Sequence, residues 1–341
     1  MSLPAAHPLA DGRTGASPVV RAYRGERIPA PPVWFPELPV PHGAGPRPAA
    51  PDPGRIAELT AEPVRKHGVD AVALAVDVMT PVLLGGARVR TEPGRGPVVD
   101  EPVRTASDVL RLRPLDPALL EPVRAAVALA VAELGSTPLV AVGAAPFTVG
   151  SVLVEGGPSG DQLRARSLMY TDPHTWAALL NWCADVTGAF LRTQVEAGAS
   201  AVLLTDHAMG SLSRRDYQRR VAPHSRRAFD ALRGIDVPRV HAGLGSADLL
   251  DLLPGIGAQV AGIDWRLPLD EASARLGGMA LQGNLDPALL AAPWPTLRAH
   301  IDDVVARGAA APAHVLSLGG GVPSGTDPDV LTRIAAYVHG G

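Results

Sequence analysis

Cysteine is nearly absent from the sequence, because Cys183 is the single one among 341 residues. A disulfide framework within the chain is therefore excluded, and we expect a protein of the reducing cytoplasm. Long apolar runs are also missing. No stretch approaches the roughly 20 apolar residues that a membrane-spanning helix needs, so we expect no membrane partner. The first residues lack the basic start and apolar stretch of a signal peptide, and we expect residues 1–17 to form a disordered leader.

An excess of charge of either sign is missing too. The formal net charge is -3 at pH 7, which gives no electrostatic basis for binding nucleic acid or an anionic membrane. Lysine is almost absent, since Lys66 is the one lysine beside many arginines. Apolar residues, in contrast, make up 46% of the chain, which is enough to bury a sizeable core.

Short apolar runs recur along the chain, and helix-like segments separate them. Most runs are continuous rather than alternating, which is typical of parallel strands covered on both faces. The pattern predicts a single (β/α)8 TIM barrel over residues 18–341. A doubly wound open sheet is the alternative, but neither of the first two strands is followed by a Gly-rich phosphate loop. The predicted strands are 31–35, 70–77, 139–144, 200–206, 237–243, 259–265, 279–284 and 313–319.

Polar side chains follow the carboxyl ends of several predicted strands, where barrel enzymes build their active sites. Asp77 closes an unbroken apolar strand and has no obvious helix to cap, so it is the leading candidate for a functional carboxylate. Asp206 and Asp264 could equally cap the next helix or hold a loop. His241 lies inside a strand-end run and is more typical of a core histidine.

Longer motifs resemble the uroporphyrinogen decarboxylase family. The resemblance runs from about residue 19 to the C-terminus and is carried, in order, by RAYRGERIPAPPVWF, DAVALAVDVMTPV, VGAAPFTVGSVLVEGGPS, SLMYTDP, QVEAGASAVLLTD, GIDWRLPLDEA, LQGNLDPALL and LGGGV. It implies a (β/α)8 barrel and a carboxy-lyase of tetrapyrrole and heme biosynthesis, which removes acetate carboxyls from a porphyrinogen. It also implies a homodimer that uses no cofactor and no metal.

The resemblance implies roles for five residues. Asp77 would be the central carboxylate, which accepts hydrogen bonds from pyrrole N–H groups and stabilises the ring cation formed on protonation. Tyr170 would hold the reacting acetate, and Phe147 would belong to the apolar lining of the cleft. His207 and Gly320 stand at substrate-binding positions where the family has a serine and a histidine.

The opening loop departs most from the family pattern. The family carries Arg-Gln-Ala-Gly-Arg there, with arginines that face the substrate's carboxylates, and this chain has PELPVPHGAGP in a shorter loop. We expect residues 37–53 to be loosely packed and the cleft to be open on that side. Three possibilities follow: a working decarboxylase, a diverged paralogue with a changed substrate, or a non-catalytic subunit that binds a tetrapyrrole or pairs with an intact paralogue.

A corrinoid-linked methyltransferase is a further possibility, because such enzymes share this superfamily. They hold zinc with a His-x-Cys pair and a further cysteine. Here the corresponding stretch is His241-Ala242-Gly243, and Cys183 lies among apolar residues of a predicted helix. A thiolate zinc site cannot be assembled from these residues, so the sequence disfavours this possibility.

Overall fold

The computed structural model describes residues 3–36, 52–92 and 96–340. Over these ranges it is an α/β fold, in which seven parallel strands form one curled sheet and a separate antiparallel hairpin lies beside it. The strands are β1 (Val72–Ala73), β2 (Val89–Glu92), β3 (Gly96–Val99), β4 (Leu139–Ala144), β5 (Ala201–Asp206), β6 (Arg239–Gly243), β7 (Val260–Gly262), β8 (Ala280–Leu285) and β9 (His314–Leu318). The large sheet follows the order β1-β4-β5-β6-β7-β8-β9, and β2 and β3 form the hairpin.

Helices connect the parallel strands and cover the sheet. They are α1 (Pro18–Tyr23), α2 (Pro53–His67), α3 (Thr80–Leu84), α4 (Ala106–Leu110), α5 (Glu121–Leu134), α6 (Pro146–Glu155), α7 (Leu163–Thr171), α8 (Pro173–Glu196), α9 (Arg214–Arg220), α10 (Ala222–Asp230), α11 (Leu253–Ile256), α12 (Leu269–Leu276), α13 (Trp294–Gly308) and α14 (Pro328–Val338). Short 3-10 turns occupy Pro117–Leu120, Met209–Ser211, Ala247–Leu252 and Pro287–Ala291. None of the described helices is long and apolar enough to cross a membrane.

Asp-Pro pairs begin several of these helices, for the reason that the sequence indicates. At α2 the side chain of Asp52 accepts a hydrogen bond from the Gly54 amide, while Pro53 occupies the first helical position and needs no donor. The same helix ends at Gly68, whose φ of 64° favours glycine. Asp172 starts α8 in the same way.

The predicted strands are confirmed from β4 onward: β4 has the predicted bounds, and the ends of the later strands shift by at most three residues. Of the second predicted strand, 70–77, only Val72–Ala73 pairs in the sheet. The first, 31–35, contributes a single parallel bridge between Val33 and Leu316, and the Asp70 amide donates to the Val33 carbonyl. Residues near 33 therefore lie beside β9 and the chain leading into β1. A complete eight-stranded barrel stays a prediction.

The N-terminal segment packs against the helices and the sheet. His7 is buried, and its Nε2 lies 2.9 Å from the Val195 carbonyl oxygen in α8. The hydroxyls of Thr14 and Ser200 are 2.7 Å apart. Leu3 and Leu9 also pack against the hydrophobic core. The expectation of a disordered leader is therefore wrong for residues 3–17, which hydrogen bonds and apolar contacts hold in place. The start of the barrel domain at residue 18 stays a prediction.

The expectation of loose packing over 37–53 falls mainly on residues 37–51, which lie outside the described residues. Residues 52 and 53 begin α2.

Close contact between β6 and β7 depends on Gly262. A Cβ at this position would meet the Cβ of Ala242 and lie 2.8 Å from its Cα. We expect Gly262→Ala to lower the free energy of unfolding by about 1–3 kcal/mol, because two packed strands must separate. Urea unfolding measures the change. Gly255→Ala is the matched control, since no atom lies within 4 Å of its added methyl group. Equal stability of both variants would contradict the close packing of the two strands.

Candidate active site

A recess opens at the carboxyl ends of the central strands. It contains about 430 Å³ of atom-free space, counting its open mouth. No lysine or arginine is among its described lining residues. Those residues are Pro36, Leu203, Thr205, His207, Ala242, Gly243, Leu244, Gly262, Ile263, Asp264, Gln282, Leu318, Gly319 and Gly320.

Asp264 links two loops at the rim of this recess, one that contains Gly245 and one that contains Arg266. Its side chain is 4% exposed and accepts hydrogen bonds from the Gly245 amide and, at 2.9 Å, from the Arg266 amide. The Arg266 guanidinium adds a third bond at 2.8 Å. The side-chain amide of Asn284 donates to the backbone carbonyls of Asp264 and Leu267, at 2.9 and 2.6 Å. Of the roles open to Asp264 from the sequence, the structure supports holding a loop.

Asp206 lies on the other face of the sheet. Its side chain is fully buried and accepts a 2.8 Å hydrogen bond from the Thr148 hydroxyl in α6. Burial raises the pKa of this carboxyl to about 6, because the charged form is poorly solvated there.

His241 is a core histidine, as the sequence favoured, but among the described residues its Nδ1 has no hydrogen-bond partner. It is fully buried, its Nε2 lies 3.4 Å from the Tyr217 hydroxyl, and the Phe229 ring packs edge-on against it. Burial lowers its pKa to about 4, so the ring is neutral at pH 7.

The structure brings two of the predicted site residues together at the recess, His207 and Gly320. A Cβ at Gly320 would lie 3.3 Å from Cζ3 of Trp265 and 3.4 Å from Cγ of Pro287. The Trp265 ring therefore occupies the space into which a larger side chain at position 320 would extend.

Asp77 is half-buried in the turn that follows β1, and it is not part of the recess lining. Its Oδ1 accepts a 2.8 Å hydrogen bond from the Met79 amide, and its carbonyl accepts from the Thr80 amide at 2.9 Å. Asp77 therefore stabilises the turn that leads into α3, but it does not cap that helix, whose N-cap residue is Met79.

Tyr170 and Phe147 also lie away from the recess lining. Tyr170 is 54% exposed on α7, and its hydroxyl donates to Asp216 at 2.6 Å. That hydrogen bond to a carboxylate raises the tyrosine pKa. Phe147 is fully buried, and its ring centroid lies 5.9 Å from that of Trp176. The expectation that Phe147 lines the cleft is wrong, because the side chain packs between α6 and α8.

The hydrogen bonds that hold the Gln282 side chain were not predicted from the sequence. The Tyr23 hydroxyl donates to Oε1 of Gln282, and Nε1 of Trp34 donates to the Tyr23 oxygen at 2.9 Å. Burial raises the tyrosine pKa, so the hydroxyl remains protonated and can donate. These contacts fix the amide of a residue that lines the recess. Both aromatic residues occur in the motif RAYRGERIPAPPVWF, which could have directed attention to them.

Comparisons over the whole chain agree on one family. The model of the family described as uroporphyrinogen decarboxylase (URO-D) matches residues 14–341. The chain belongs to the uroporphyrinogen decarboxylase family. A relative named uroporphyrinogen decarboxylase from Arthrobacter sp. is 50% identical, covering 96% of this chain and 98% of its own. Relatives of the same name from Leifsonia xyli and Salinispora tropica are 48% and 46% identical, covering 98% and 96% of this chain and 97% and 91% of their own.

Solved structures of low sequence identity share the fold of this uroporphyrinogen decarboxylase family member. A methyltransferase from Methanosarcina mazei has a TM-score of 0.80 at 18% identity, covering 96% of this chain and 98% of its own. A B12-independent methionine synthase from Shewanella sp. has a TM-score of 0.58 at 10% identity, covering 91% and 97%. At these identities the likeness concerns the fold alone. The thiol of Cys183 is buried in α8 and is not part of the recess.

The buried carboxyl of Asp206 makes stability depend on pH. Because its folded pKa of about 6 exceeds the unfolded value of 3.8, the parent loses stability as pH rises through this window. Asp206→Asn has no such loss, so its stability relative to the parent should rise by up to about 3 kcal/mol between pH 4 and pH 7. Urea unfolding at both pH values measures the difference. His241 is present in both proteins, and its opposite pH dependence cancels.

Asp236→Asn is the control for this experiment, since its side chain is 93% exposed. It should show no comparable change with pH. A pH-independent difference between Asp206→Asn and the parent would contradict the raised pKa.

Proposed function

We propose that this protein is a working uroporphyrinogen decarboxylase, which converts uroporphyrinogen III to coproporphyrinogen III by removing the acetate carboxyls as carbon dioxide. The observation that carries the proposal is the 50% identity to a relative of that name, over 98% of the relative's length. The changed-substrate and non-catalytic possibilities have no comparable support, because the named relatives match almost the whole chain.

The chemistry requires a sink for electrons. Protonation of a ring carbon makes the pyrrole cationic, the bond to the leaving carboxyl then breaks, and its electron pair neutralises the ring as carbon dioxide departs. A second proton completes the methyl group, and loss of the first proton from the ring carbon restores the neutral pyrrole. We assign the stabilisation of the cation to Asp77 because of the resemblance of DAVALAVDVMTPV to the family, and because a fixed carboxylate favours a positive charge beside it. His207 lines the recess and is of the residue type that exchanges protons near neutral pH.

We propose that the sheet closes as a single (β/α)8 barrel, in which the segment around Val33 is the eighth strand. Its support is the bridge to Leu316 and the hydrogen bond from Asp70 to Val33. We also propose a cytoplasmic homodimer that acts on a tetrapyrrole without cofactor or metal, and that uses Tyr170 to hold the reacting acetate.

Decarboxylation should depend on the charge of Asp77. Asp77→Asn retains an oxygen that accepts the bond from Met79, so the turn should persist while the charge is lost. We expect turnover of uroporphyrinogen III to fall by about 100-fold or more, the typical effect of removing one preorganised electrostatic group. Anaerobic incubation, with products separated by carboxyl number, measures the rate.

His207→Ser is the companion variant, since it places the family's residue in the recess. It should change the rate far less than Asp77→Asn does. Turnover by Asp77→Asn at the parental rate would remove Asp77 from the mechanism, and a parent that produces no porphyrinogen with fewer carboxyls would refute the proposed function.

A further inference from the structure

A porphyrinogen with many carboxylate arms needs cationic partners, because burying an unpaired carboxylate costs several kcal/mol. The described lining of the recess contains no lysine or arginine. Arg266 provides a cation at the rim. Its Nη1 lies 2.8 Å from Oδ2 of Asp264, a residue that lines the recess. The guanidinium of Arg266 is thus one hydrogen bond away from the recess wall.

Arg266 retains donors for a ligand. Its side chain is 52% exposed, and within the described residues Nη1 is the guanidinium nitrogen that makes a hydrogen bond. Asp264 also accepts from the backbone amides of Gly245 and Arg266, so its carboxylate does not depend on the guanidinium alone. The remaining N–H groups of the planar fork suit bidentate binding of a second carboxylate.

The orientation of the guanidinium is fixed by Trp265. The guanidinium carbon of Arg266 lies 4.0 Å from the centroid of the indole ring, a cation–π contact. The ring in turn lies against Gly320, where an added Cβ would be 3.3 Å from Cζ3. An added Cβ at Gly319 would collide with the Trp265 backbone. The two glycines therefore allow Trp265 to sit at the rim and to support the arginine.

We propose that Arg266, stacked on Trp265 and tethered by Asp264, binds a carboxylate arm of the tetrapyrrole at the rim of the recess. The assignment rests on the proposed function for the identity of the ligand. It makes Arg266 a substrate-binding residue at the rim.

Binding of uroporphyrin III, the oxidised porphyrin that cannot be decarboxylated, tests the proposal directly. We expect Arg266→Gln to weaken binding about tenfold, measured by fluorescence quenching, because a charge-assisted hydrogen bond is lost. Arg266→Lys keeps the charge without the fork and should lie between this variant and the parent. Arg226→Gln, the same change at an exposed residue of α10, is the matched control and should bind like the parent.

The salt dependence of Kd and the steady-state kinetics distinguish ligand binding by Arg266 from a purely structural role of this residue. The dependence of log Kd on log salt concentration should be shallower for Arg266→Gln than for the parent, because one ionic contact is gone. With uroporphyrinogen III, KM should rise about tenfold while kcat changes little. If Arg266→Gln fails to fold, the same binding and kinetic measurements on Arg266→Lys test the proposal.

Unchanged uroporphyrin binding by folded Arg266→Gln, or weaker binding with an unchanged salt dependence, would overturn the assignment of Arg266. A parent that binds uroporphyrin III without decarboxylating uroporphyrinogen III would refute the proposed function instead. The two failures are therefore distinguishable.

Discussion

The buried carboxylate of Asp264 is the interaction on which the rim of the recess depends. Its three donors come from the loop after β6 and from the residues after β7, and the Asn284 amide of β8 joins the backbone of the same turn. Three consecutive strand ends are thereby held in one arrangement. Because a buried carboxylate is costly unless it is fully paired, the network favours a single conformation of these loops.

Glycines set the second constraint, since strand ends approach each other more closely than a Cβ allows. Gly262 lies against Ala242, and Gly319 lies against the backbone of Trp265. Small residues at the strand ends leave room for a recess, while Trp265 and Arg266 lie at its rim. The recess is therefore apolar and glycine-rich within, and its charged groups lie at its edge.

The sequence predicted the sheet well, because continuous apolar strands such as β4 and β5 bury both faces and leave a clear signal. It failed for Phe147, since an apolar side chain has the same pattern in a helix core as in a cleft wall. It also failed for residues 3–17, where the hydrogen bonds of His7 and Thr14 add to the packing of Leu3 and Leu9 against the core.

Asp77 and Asp206 show a further limit of sequence reasoning. Both close apolar runs, but the first stabilises a turn beyond its strand and the second points away from the recess toward Thr148. Pairing stops four residues before Asp77, at Ala73, whereas β5 ends at Asp206 as predicted. A run that is apolar on both faces does not show which face its last residue occupies.

The release of carbon dioxide from uroporphyrinogen III labelled in its acetate carboxyls tests the central claim most directly. We expect the purified protein, kept anaerobic and without added metal or cofactor, to release all four labelled carboxyls and to leave coproporphyrinogen III. Recovery of the full label in unchanged substrate, from a folded protein that binds uroporphyrin III, would contradict it.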